Sequence, residues 1–209
     1  LRAISHLRSL SGGRDTPHAA LGAALLVELA LMERISVAPA EAGRKERGRI
    51  TVLDLSPTDD PELDAVLVRL EQKDGQKVKN LISPMSSKPI SAKLRERLLD
   101  RMVARGLLGE ARSAVLGLRR YPALDSEPER EICSRLSSAL VDGLTPSERT
   151  VALVGLLDAA GILTKVVSSG DKKLVKARAK KLGDGDWAAK AVKDAIAEMT
   201  AVLVSTGAN

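Results

Sequence analysis

The stretch TPHAALGAALLVELALMERISV, residues 16–37, constrains this chain more than any other. Thr16 suits the cap of a helix and Pro17 its first turn, where no amide hydrogen bond is lost. From Ala19 to Met32 every residue is apolar or glycine except Glu28. A helix with no polar face has to be covered on all sides. The run falls short of the about 20 apolar residues that a membrane span needs, carries a carboxylate, and leads at Ile35 into a β-branched segment. It therefore predicts a core helix that the other segments pack around.

No Pro/Ser-rich linker or low-complexity tract divides the 209 residues, so a single domain over 1–209 is expected. With no Phe, one Trp and one Tyr, the core must be aliphatic, which favours helices. A helix follows the cluster SPTDDP, with Leu63, Val66, Leu67 and Leu70 at helical spacing. Others are predicted from Lys93 to Ala104, stopped by Gly106, and from Glu127 to Val141. Thr145-Pro146-Ser147-Glu148 reads as a capping box for a helix that stops near Gly161. Two more are expected over Lys172 to Leu182, stopped at Gly183, and from Trp187 to Val204, capped by Asp186. The strand-like runs Ile35 to Val37 and Ile50 to Leu55 flank the charged loop EAGRKERGR, as in a hairpin with a basic tip. Leu107 to Leu118 holds two more short apolar runs around the turn Gly109 to Ser113. The predicted fold is mainly α: one helical domain around an apolar central helix, with one or two small β-hairpins.

Several chemistries lack their residues. Cys133 is the only cysteine, which excludes an internal disulfide, fits a reducing compartment and reads as a small buried hydrophobe beside Ile132 and Leu136. The two histidines, His6 and His18, have no second cysteine to join them, so no metal site is expected. Glycine-rich phosphate loops, an elbow serine, HExxH and a Cys/His pair are all missing from the sequence. The expectation is a protein that is not an enzyme and has no cofactor. The sequence opens on Leu1 rather than Met, leaving room for a leader or tail beyond it, and nothing within it reads as a signal peptide or anchor.

The net charge of +6 is unevenly spread. Residues 92–120 hold eight Lys/Arg against three Asp/Glu, and residues 165–193 hold nine against three, so the remainder is acidic by five. Such clustering points to an anionic partner, a phospholipid surface or nucleic acid, or else to solvated helix faces. Arg95 is the most informative charge. At about 100° per residue from Leu94, Leu98 falls near 40°, Met102 near 80° and Leu99 near 140°, and Arg95 near 100° lies among them. An arginine there snorkels past the helix end or meets an anion. The geometry alone favours an internal ion pair, with Glu28 as the candidate partner, over a bound phosphate. The helix with its following strands also resembles the end of a winged-helix unit, which would set Arg112, Arg119 and Arg120 on DNA phosphates. No clear helix-turn-helix precedes it and no aromatic platform serves single strands, so nucleic acid is the weaker reading.

Read together, LGAALLVELALMERISV at 21–37, VLDLSPTDDPELDAVL at 52–67, LRERLLDRMVARGLL at 94–108, LTPSERTVALVGLLDAAGIL at 144–163 and GDGDWAAKAV at 183–192 resemble the Golgi phosphoprotein 3 family in its bacterial branch. The resemblance implies a largely helical domain around an apolar helix, with a projecting β-hairpin. It further implies a peripheral membrane protein, cytoplasmic and on the cytosolic membrane face, that recognises phosphatidylinositol 4-phosphate in a basic pocket; eukaryotic members also bind protein tails. Arginines would hold the phosphate while a hairpin meets the lipid. The family's tryptophan before the core helix falls near Gly13, its arginine after Leu21 falls on Gly22, and the first of its paired arginines falls on Ala92. Arg95 is then the inherited head-group contact, with Lys93 close enough to substitute in part. The membrane-facing hairpin corresponds to about Leu118 to Asp125, where Arg119, Arg120 and Tyr121 favour an anionic interface over deep insertion.

Overall fold

The structure is a computed structural model, and it describes residues 16–73, 75–83, 89–90, 92–112, 119–168, 170–185, 188 and 190–205. The expected core helix is α1, Thr16–Leu31. Ala23, Leu26 and Leu29 are fully buried in it, because a helix with no polar face has no side to give to water. Alanine and glycine on α1 let its neighbours come close. At Gly22 an added Cβ would lie 3.2 Å from Ile82 and 3.3 Å from Ile90, so that position is filled by the packing of other chain segments. Glu33, with φ 56, turns the chain out of α1, and Arg34 then pairs with Asp54.

The strands β1, Ile35–Val37, and β2, Ile50–Val52, form an antiparallel pair in which Ile35 faces Val52. The second run was expected to reach Leu55, but Leu53 and Leu55 are exposed and lie outside the ladder. Helix α2, Pro61–Gln72, buries Leu63, Val66, Leu67 and Leu70 as their spacing predicts, and its N-cap Asp60 accepts the Glu62 amide. Next come α3, Val78–Ile82, and α4, Leu94–Ala104, which ends where Gly106 at φ 70 breaks the helix. Strands β3, Ala111–Arg112, and β4, Arg119–Arg120, make a second antiparallel pair.

The C-terminal half holds α5, Glu127–Ser137, which passes into a π-helical turn over Ser138–Asp142. It continues with α6, Glu148–Ala159, α7, Leu163–Val166, α8, Lys172–Asp184, and α9, Lys190–Ser205. Three local expectations differ in detail. The cap of α6 is Ser147, which accepts the Thr150 amide, so Thr145 and Pro146 precede the helix instead of opening it. Gly183 is tolerated inside α8, whose end falls at Gly185. Cys133 is only half-buried and Ile132 is 39% exposed, because α5 covers the core with Leu136 alone. The expected cap Asp186 and Trp187 lie outside the described residues.

Two apolar clusters result. The larger wraps α1 with α2, α3, α9 and the first strand pair; the smaller joins α5, the π turn, α6, α7 and α8. Ala20 of α1 touches both, so the central helix also links them. Among the described residues, no helix is long and apolar enough to cross a membrane.

Candidate functional site

The arginines of LRERLLDR divide by the face of α4 they occupy. Arg97 Nε donates to Glu62 Oε1 at 2.8 Å and its Nη2 to Oε2 at 2.7 Å, while Nη1 reaches the Ala92 carbonyl at 2.9 Å. One turn on, Arg101 Nη1 donates to Asp60 Oδ2 at 2.8 Å and Nη2 meets Glu62 Oε1 at 3.4 Å. Glu62 is 8% exposed, so its charge is tolerable only because both guanidiniums face it. The hydrogen bond to Glu62 also raises the Arg97 pKa against its burial. These two arginines clamp α4 onto the start of α2.

Arg95 is left out of that clamp. It is half-buried at the head of α4, as its place among the apolar positions suggests, yet it has no ion-pair or hydrogen-bond partner among the described residues. The expected internal pair with Glu28 is not formed, because Arg149 at the start of α6 takes that carboxylate. Lys93, exposed at the N-cap with φ 53, is beside it and makes no side-chain cap. The first helical turn adds unpaired amides and a partial positive charge. The head of α4 is thus a cationic spot with a half-desolvated guanidinium, able to take a phosphate or carboxylate in charge-assisted hydrogen bonds. Gly22 and Ala92 add no charge to it; Ala92 is exposed, and Gly22 is walled off by Ile82 and Ile90.

The hairpin is longer than the sequence suggested. Its arms are held from Leu107 to Arg112 and from Arg119 to Asp125, through the Leu108–Ala123 bridge and the Gly109 amide donating to the Pro122 carbonyl at 2.8 Å. Arg119, Arg120 and Tyr121 therefore sit on the returning arm. Leu118 lies outside the described residues. Arg119 is held protonated by its hydrogen bond to Tyr121 first and by Glu110 second, whose Oε1 is 3.5 Å away. Asp100 of α4 also acts on it. That brings the arm to a point roughly 7.5 Å along the α4 axis from Arg95, so the two predicted groups occupy one helix but do not touch in any hydrogen bond or ion pair.

Sequence reasoning overlooked the structural role of Arg97 and Arg101. The acids of DDPE, at the cap and first turn of an apolar helix, were the available signal. The lysine-rich segment forms one face of α8: Lys172, Lys173, Lys176 and Lys180 fall within an arc of about 100°, all exposed and without carboxylate partners among the described residues. Among the described residues no group of three His, Cys, Asp or Glu side chains is placed to hold a metal ion.

The sequence profile of the Golgi phosphoprotein 3 (GPP34) family matches residues 7–199. The chain belongs to the Golgi phosphoprotein 3 family. No curated protein sequence matches it. Within this Golgi phosphoprotein 3 domain, α4 carries two kinds of arginine, one kind committed to ion pairs of the fold and one half-buried without an ion-pair partner among the described residues.

Two measurements check that division. In urea unfolding, Arg97→Ala should cost about 2 kcal/mol because it leaves the buried Glu62 carboxylate with only the longer contact to Arg101, whereas Arg95→Ala should change stability by less than about 0.5 kcal/mol; similar losses would refute the assignment. Burial pushes the Asp60 carboxyl up, but the Glu62 amide and Arg101 outweigh it, so the net shift is downward. A carboxyl with a depressed folded pKa stabilises fully above its unfolded value and loses that contribution as pH falls through the folded one. The Tm of the wild type should therefore drop more steeply than that of Asp60→Asn between about pH 5 and pH 2; parallel curves would contradict it.

Proposed function

We propose that this protein is a non-catalytic peripheral membrane protein that binds anionic phospholipid head groups from the cytosolic side, with phosphatidylinositol 4-phosphate as its preferred ligand. Arg95 carries the reading. A guanidinium half-removed from water and left without a carboxylate gains from an anion, and a phosphate monoester offers three acceptor oxygens to its fork of donors. Lys93 supplies a second, more mobile charge.

The wider charge pattern supports a membrane as the place where that phosphate is met. Each basic residue near an anionic leaflet adds about 1 kcal/mol of attraction at close range. Arg119 and Arg120 on the hairpin arm and the lysine face of α8 provide such charges. Tyr121 next to the two arginines suits an interface, where a ring sits among head groups with its hydroxyl in water. With Gly22 and Ala92 in place of further cations, the head group is held by fewer contacts, so plain electrostatic attraction carries a larger share of the binding.

A second reading has its own observation. A groove of about 250 Å³ between α5, α6 and the end of α4 is lined by Met102, Leu107, Ile132, Leu136 and Leu157, with Asp125 and Glu129 at its rim. An apolar slot with an acidic rim suits a basic protein tail, which supports a soluble adaptor that binds proteins without phosphoinositides.

Co-sedimentation with liposomes of matched total charge separates the readings. Vesicles carry either phosphatidylinositol 4-phosphate or phosphatidylserine, and the proteins are wild type and Arg95→Ala. Wild type should bind the phosphoinositide vesicles several-fold better, and Arg95→Ala should lose that preference while remaining folded. Equal binding to both vesicles, or to neither, would sink the lipid-specific reading and leave the adaptor.

A further inference from the structure

A cationic cavity lies away from α4. The loop between β1 and β2 folds back over the start of α3 and the last turns of α9, and borders a half-open cavity of about 300 Å³. Its walls are tied by backbone hydrogen bonds: the Val78 amide donates to the Gly48 carbonyl at 2.8 Å, and the Gly48 amide to that of Ala38 at 2.9 Å. Lys77 Nζ donates to the Arg44 carbonyl at 3.0 Å and closes one side. Backbone hydrogen bonds and this one lysine contact therefore hold the cavity in shape.

Those charges are unbalanced. Arg44, Arg47, Lys77 and Lys79 face a single carboxylate, Glu198. Arg47 Nε donates to Glu198 Oε1 at 2.9 Å, which neutralises that pair. Arg44, Lys77 and Lys79 have no carboxylate partner among the described residues, so the cavity keeps three positive charges. The C-terminus of α9 nearby offsets only about half a charge.

Glu198 gives the cavity its selectivity. It is 5% exposed, and its second oxygen, Oε2, accepts no hydrogen bond among the described residues. A Cβ on Gly48, whose φ is +70, would lie 3.3 Å from that oxygen. Glycine thus serves the loop's left-handed turn and also keeps the carboxylate open to the cavity. A charged acceptor whose lone pairs face the cavity can accept from a hydroxyl or ammonium donor there.

We propose that this cavity is a binding site for a small phosphate monoester that carries a hydroxyl group close to its phosphate. Three cations without a carboxylate partner among the described residues match a group of about −1.5 to −2 charge with three acceptor oxygens, and the neighbouring Glu198 Oε2 accepts the hydroxyl. The volume lies at the low end for small-molecule sites, which are about 300 Å³ and upward, so the ligand has the size of a phosphorylated triol or sugar and not of a nucleotide. No residue of α4 lines the cavity, and the site is independent of the head-group contact at Arg95. The same chemistry is offered by a soluble sugar or glycerol phosphate and by a lipid whose exposed head is a phosphate monoester.

Isothermal titration of the full chain with glycerol 3-phosphate, inorganic phosphate and glycerol tests the site, with sedimentation on phosphatidic acid vesicles as the lipid arm. Lys79 is exposed and can be changed without disturbing the core, and Glu198→Gln keeps the shape of the acceptor. Saturable binding of glycerol 3-phosphate, tighter than inorganic phosphate, is expected; Lys79→Ala should weaken it about tenfold, the loss of one charged hydrogen bond. Glu198→Gln should narrow the preference over inorganic phosphate, and Arg95→Ala should leave both affinities unchanged. Vesicle binding that Lys79→Ala weakens while glycerol 3-phosphate does not bind would support the site with a lipid as its source. Absence of binding in both arms, equal affinity for inorganic phosphate and glycerol 3-phosphate, or affinities indifferent to Lys79→Ala would overturn the proposal.

Discussion

A helix that has no polar face cannot be placed at a surface, and this requirement organises the protein. Every residue of α1 from Ala19 to Ala30 needs cover except Glu28, and the cover comes from both halves of the chain: α2, α3 and the first strand pair on the N-terminal side, α6 and α9 on the C-terminal side. Fully burying one leucine such as Leu26 contributes roughly 1.5–3 kcal/mol, so the helix accounts for a large part of the favourable burial. Its single carboxylate finds Arg149 at the edge of α6. That one pair frees Arg95 from the internal role its position first suggested.

The consequence for function runs through α4. The buried Glu62 and the part-exposed Asp60 at the start of α2 attract cations, and Arg97 and Arg101 meet them from successive turns of one face. Leu94 and Leu99 anchor the helix in the core, while Arg95 and Lys93 form no ion pair among the described residues. Arg95 and Lys93 can therefore respond to an outside anion without altering the packing beneath them. The hairpin that follows α4 is fixed to its far end by Leu107 and Leu108, which puts Arg119 and Arg120 on an arm supported by a rigid base. Along one short helix, Lys93 and Arg95 at the head stay outside the ion pairs that Arg97 and Arg101 make further on.

Much of the fold was legible because aliphatic periodicity decides burial. Leu63, Val66, Leu67 and Leu70, or Val192, Ala195, Met199 and Leu203, are buried as helical spacing requires. Boundaries were less legible, because capping groups compete locally. Ser147 outcompetes Thr145 for the start of α6, and the side chains of α8 carry a glycine past the point where it would stop an isolated helix. The site was legible only in part. A helical wheel finds that Arg95 lies among apolar positions, but not which of several acids reaches it, since Glu28 and Arg149 meet only through the tertiary packing of α1 and α6. The cavity at Glu198 was hidden for the same reason, being built from three segments far apart in the chain.

The central claim is that α4 presents Arg95 and Lys93 to an anionic surface while holding Arg97 and Arg101 for the fold. Hydrogen–deuterium exchange of the wild type with and without phosphatidylinositol 4-phosphate vesicles tests it most directly. The account predicts added protection in the first turn of α4 and in the arms around β3 and β4, with the amides of α2 behind the Glu62 clamp unchanged. Protection confined to the groove between α5 and α6, or no vesicle-dependent change at the head of α4, would contradict it.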